Sequence, residues 1–188
     1  MKTKIYWIAK TAVFIALLVA LQGLTASLGN QLITGSLVNL VLIAAVVLGG
    51  IGTGLTVAIL SPLMAFLLGI GPNQFALIPF IALGNVALVV IWHFICKAKM
   101  KNQILNYILA TIVGAFVKNG VLYVGIVFIA APLLLKLPAA GVEKMAVTFG
   151  ILQSFTALIG GAVACIILPL LVKTIGNMEK RAGLVKTA

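Results

Sequence analysis

SLVNLVLIAAVVLGGIGTGLTVAILSPLMAFLLGI, residues 36–70, is the stretch on which the fold turns. It carries no charge, and a single helix over it would be some 50 Å long at about 1.5 Å per residue, against a bilayer core of about 30 Å. The sole interruption is Gly49-Gly50-Ile51-Gly52-Thr53-Gly54, an uncharged glycine-rich turn signal. The stretch therefore reads as two apolar helices, 36–49 and 51–70, joined by a tight turn. Working outward, turn signals at Ser27 to Gly35, Gly71-Pro72-Asn73-Gln74, Lys97 to Asn102 and Lys136 to Lys144 bound four more, at about 5–28, 75–96, 104–134 and 148–173. The expectation is an all-α integral membrane protein in which residues 1–188 form one domain of six transmembrane helices.

Composition supports that class. The chain is 63% hydrophobic and 8% charged, with mean hydropathy +1.30, whereas soluble domains carry about 25% charged residues. The net charge of +11 does not point to nucleic acid, because the basic residues flank apolar segments and form no continuous stripe. The Met1–Lys10 stretch before an apolar run imitates a signal peptide. Since every later segment is also membranous, a retained first helix is expected. Cys96 and Cys165 read as small packing residues.

Lys2, Lys4 and Lys10 precede the first span, Lys97, Lys99 and Lys101 join the fourth to the fifth, and Lys173, Lys180, Arg181 and Lys186 follow the sixth. An even number of spans places all of these on one face, with Lys136 and Lys144 opposite. By the positive-inside rule that face, and both termini, are cytoplasmic, in a multi-pass protein of a prokaryotic plasma membrane. Tyr6, Trp7, Trp92, His93 and Tyr107 then fall at the inner interface, as an aromatic belt would.

Lys118 fits none of these places. It lies near the middle of the fifth apolar run, and the chain's two acids, Glu143 and Glu179, lie outside every run. A lysine at mid-depth costs roughly 2.5–3.5 kcal/mol on insertion scales. An incoming anionic group is one way to relieve it; an uncharged amine, or a position nearer the inner interface, are the others. Around it the sequence gathers polar residues between mid-membrane and the outer face: Asn30, Gln31, Thr34, Ser36 and Asn39 before or in the second span, Asn73, Gln74 and Asn85 around the fourth, Asn119 and Tyr123 in the fifth, and Gln153, Ser154 and Thr156 in the sixth. Uncompensated amides and hydroxyls are costly in lipid, so they should face the bundle interior or water. Taken singly, each is better accounted for by interhelical hydrogen bonding. Asn119 and Tyr123 share a helix face from which Lys118 is rotated by about 100°, so the three need not enter one cavity.

No phosphate-binding loop, nucleophile elbow or zinc motif is present, and there is a single histidine. No enzyme, metal site or bound cofactor is expected, and the absence of an intramembrane carboxylate argues against an ion-driven pump. Ala12, Ala16 and Ala20 stack along one face of the first helix, a spacing that lets a second helix approach closely.

The stretch Ala12-Val13-Phe14-Ile15-Ala16-Leu17-Leu18-Val19-Ala20, the pattern Gly35-Ser36-Leu37-Val38-Asn39 and the glycine-rich turn at 49–54, in a chain of this size with six short-looped spans, resemble the substrate-binding S component of an energy-coupling factor (ECF) transporter. The resemblance covers nearly the whole chain. It implies that Ala12, Ala16 and Ala20 dock on a membrane-embedded coupling subunit driven by two cytoplasmic ATPase subunits. It also implies capture of a small vitamin-like nutrient near the outer surface, where Asn30, Gln31, Asn73, Gln74, Asn85, Lys118, Asn119, Tyr123 and Gln153 fall. In that reading Lys118 holds an anionic group, the amides orient the ligand and Tyr123 offers a stacking face. The rival readings are a stand-alone carrier or channel, which would move solute without ATPases, and a membrane scaffold, which would bind none.

Overall fold

The computed structural model describes residues 2–98 and 102–181; Lys99, Lys101 and Lys186 lie outside them. Helix α1 spans Lys2–Ala26, α2 Gln31–Leu67, α3 Ile78–Lys97 after a 3-10 turn at Phe75–Leu77, α4 Gln103–Leu122, α5 Ala139–Ala146 and α6 Leu152–Arg181. Two π-helical segments, Tyr123–Leu134 and Val147–Ile151, continue α4 and join α5 to α6. Five of the resulting helical runs are long and apolar enough to cross a membrane.

The longest of these, α2, is not one rod. Gly50 sits at φ 83°, ψ 174°, a conformation that is costly for any residue with a Cβ, and the chain turns back on itself there. A Cβ built on Gly54 would come within 2.8 Å of the Val46 Cβ, although eight residues of straight helix would hold the two about 12 Å apart. The segments 31–49 and 51–67 thus lie side by side, as the glycine-rich turn at 49–54 predicts.

Other boundaries differ from the sequence reading for local reasons. Helix α2 begins at Gln31 instead of 36 because the Asn30 side chain caps it, accepting from the backbone N–H groups of Leu32 (3.0 Å) and Ile33 (3.4 Å). The expected loop from Lys136 to Lys144 shrinks to a turn at 136–138. Pro138 then starts the short helix α5, whose sequence AAGVEKMA is rich in helix formers.

Helix α2 packs against α1, α3 and α6, while α4 packs against α3 and α6. Small residues set these crossings: a Cβ on Gly160 of α6 would lie 2.6 Å from the Ser36 carbonyl oxygen of α2. The bundle has two unlike ends. At one, the start of α1 meets the turn at Gly50, where Lys10 Nζ donates to the Leu48 carbonyl at 2.9 Å and Trp7 approaches Gly52. A small cavity there is lined by Gly50, Lys97, Gln103 and Val172, which places the end of α3, the start of α4 and the end of α6 at the same end. Trp92 and Tyr107 correct the expected aromatic belt: both are buried, with ring centroids 5.6 Å apart, while Tyr6 and Trp7 are exposed. The opposite end is built from the turn at 27–30, the segment 68–77 and the π-helical and α5 region.

Candidate functional site

Lys118 stands halfway along the helical run Gln103–Leu134 and is 3% exposed. Neighbouring helices reach it with amides, not acids. Its Nζ donates to Asn39 Oδ1 at 2.6 Å and to Asn85 Oδ1 at 2.8 Å. Each asparagine is oriented by its other end. Asn39 Nδ2 donates to Thr156 Oγ1 (3.2 Å), whose hydroxyl donates in turn to the Gln153 carbonyl (2.9 Å). Asn85 Nδ2 donates to Ser61 Oγ (3.2 Å), which donates to the Ala58 carbonyl (3.4 Å). One lysine side chain therefore ties both halves of α2, α3, α4 and α6 together. The close crossing at Gly160 is what brings Thr156, one turn away, to Asn39: a Cβ on Gly160 would also lie 2.9 Å from the Asn39 Cβ.

Carbonyl dipoles lower the cost of burying a charged Lys118 but would not cancel its charge. Lys118 also forms part of the wall of a cavity of about 500 Å³ at the end of the bundle away from the Gly50 turn. That volume lies within the range of small-molecule sites. Its polar wall includes Gln22, Gln31, Asn73, Gln74, Asn85 and Gln153, and its apolar wall includes Pro62, Leu77, Met145 and Phe149. Lys144, from α5, is a second cation on the wall, and no carboxylate is among the described residues that line it.

Of the residues singled out in the sequence, Lys118, Asn85, Gln153, Gln31, Asn73 and Gln74 come together here. Asn30, Asn119 and Tyr123 do not. Asn30 is exposed and spent on capping α2. Tyr123, 37% exposed, turns its ring against Phe128, with centroids 5.6 Å apart, and lies beside Gly150. Asn119, one turn before Tyr123, is half-buried, and its buried Oδ1 has no hydrogen-bond partner among the described residues. The rotation of about 100° between Lys118 and Asn119 decides the matter in favour of Lys118. The aromatic surface inside the cavity is Phe149 instead of Tyr123.

Sequence reasoning did not single out Lys144, Gln22 or Phe149 as site residues, nor Asn39 as the partner of Lys118. The segment holding Lys144 reads as loop in the sequence, and Asn39 is 79 residues from Lys118 in the chain. Ala12, Ala16 and Ala20 are all exposed on α1, whose inward face carries Thr11, Leu18 and Thr25.

Compared with family models, curated proteins and solved structures, the chain gives no match.

Proposed function

We propose that this protein is the solute-binding membrane subunit of an importer of the energy-coupling factor type, capturing a small vitamin-like nutrient that carries an anionic group. The observation that carries the reading is the cavity of about 500 Å³ with a buried lysine in its wall and no carboxylate among the described residues that line it. An uncancelled positive charge with preset neighbours favours an anion, which gains charge-assisted hydrogen bonds where water is scarce. The amides of Asn85 and Gln153 then orient the ligand, and Phe149 gives it an apolar face.

In this proposal the halves of α2 cross the bilayer separately, making six spans in a plasma membrane. The end that gathers Lys4, Lys10, Lys97 and Lys173 faces the cytoplasm with both termini, and the cavity opens outward. The exposed stripe of Ala12, Ala16 and Ala20 suits close packing against a helix of a coupling subunit, which two ATPase subunits would drive. The chain itself performs no chemistry on the solute.

Mass spectrometry of the full-length protein, purified in mild detergent and then denatured, tests the reading. A small acidic molecule released in near-stoichiometric amount is the expected result. An empty protein that binds no member of a nutrient panel would overturn it. Solute uptake into liposomes by this chain alone, without ATPases, would replace it with a stand-alone carrier.

A further inference from the structure

The cavity is lined by lysines at two depths. Lys118 is buried within the bundle, whereas Lys144 is exposed on α5, and both line the same space. Neither meets an acid there: Glu143, adjacent to Lys144 in the chain, is exposed and forms no part of the lining. Lys144 Nζ has no hydrogen-bond or ion-pair partner among the described residues. The wall between is made of amides, hydroxyls and apolar groups, which suits a neutral body, and no carboxylate, imidazole or thiol is among the described residues that line it.

Resting on the solute-binding reading above, we infer that the cavity takes a dianionic solute, a molecule of vitamin size with carboxylate or phosphate groups at both ends. One anion sits against the Lys118 ammonium inside the bundle and the other meets Lys144 at the rim. The two lysines differ in what they supply. Lys118 is held in place by Asn39 and Asn85 before the solute arrives, so its anion enters a prepared site. Lys144 is solvated and carried on a flexible stem, so it selects among solutes that already fit the inner subsite, and its contribution weakens with salt. A solute with one acid group occupies the inner subsite and leaves Lys144 in water. A cationic solute is repelled at both.

The experiment uses the full chain in lipid nanodiscs, with linear dicarboxylates of four to ten carbons as probes and the half-methyl ester of each as its monoanionic match. At one chain length the diacid is expected to bind roughly ten times more tightly than its half ester. Lys144→Met should bring that ratio below about two, while Lys136→Met, which removes an exposed charge from the same end outside the lining, should leave it intact. Ratios below about two at every length, or a Lys144→Met ratio equal to that of the unmodified protein, overturn the inference. If no probe binds, the solute retained on purification decides: two acid groups support the inference and one overturns it, leaving the solute-binding reading in place. No retained solute and no binding from a nutrient panel would bring down that reading as well, and the inference with it.

Discussion

The two ends of this bundle bury their interiors by opposite means. Around Trp92 and Tyr107, the side chains of Leu42, Ala45, Val57, Val89 and Ala110 form a continuous apolar core. Around Lys118, the helices are joined instead through two asparagines, a serine and a threonine. Backbone regularity follows the same division. The 3-10 turn at Phe75–Leu77, the π segments Tyr123–Leu134 and Val147–Ile151 and the positive-φ Gly69 all belong to the cavity end, and Gly50 is the exception at the other. Irregular backbone at membrane depth is tolerated where it is buried in protein or lines a cavity. Apolar packing in one half thus accompanies a hydrogen-bonded network around a buried lysine in the other.

The sharpest way to break that comparison is Lys118→Met. Truncating a buried, hydrogen-bonded charge that meets an opposite charge costs about 2–5 kcal/mol, so affinity for the retained solute should fall on the order of 100-fold. The fold should survive, because Asn85 lines a cavity roomy enough for water to take the place of the amine, and the other end of each asparagine keeps its hydrogen bond to Ser61 or Thr156. Equilibrium binding and thermal unfolding, measured on the same preparation, separate the two effects. Unchanged affinity would show that the two halves differ in polarity alone.

Gly54→Ala probes the apolar half. The added methyl would meet Val46 Cβ and Val89 Cγ1, each at 2.8 Å, with the Val46 Cα at 3.1 Å. These atoms belong to backbone or stiff β-branched side chains and cannot swing away. Overpacking of this kind costs about 1–3 kcal/mol, so the unfolding midpoint should drop, while protein that remains folded should bind solute within about twofold of the original. A large loss of affinity would mean that the packed half and the cavity are mechanically coupled.

Features set by one segment were legible in the sequence, and features set by pairs of segments were not. The turn at Gly49–Gly54 announces itself through glycines, and Lys118 through the absence of acids nearby. That Asn39 and Asn85 would meet at Lys118 depends on helix rotations that no local pattern records. Trp92 and Tyr107 look interfacial because each ring has a polar edge. Trp92 is buried where Gly114 leaves room opposite, since a Cβ there would lie 3.3 Å from its Cδ1, and Tyr107 packs against the Trp92 ring. The beginning of α5 was hidden because Lys136, Pro138 and Lys144 signal a loop, yet only Lys136, at φ 50°, departs from right-handed or extended backbone there.

Tyr123→Phe carries the smallest expected effect and sharpens the line between the cavity and the outer helix face. From its sequence position the tyrosine is an attractive ligand contact, since it lies near Lys118 on the same helical run and offers both a ring and a hydroxyl. In the fold it points elsewhere, edge-on to Phe128 and over Gly150. Removing the hydroxyl leaves that ring packing in place and takes nothing from the cavity wall. Affinity should therefore stay within about twofold, and stability within the roughly 0.5 kcal/mol typical of exposed substitutions. A tenfold loss of binding would mean that the π-helical segment turns when solute enters, carrying Tyr123 inward across the boundary between the two faces.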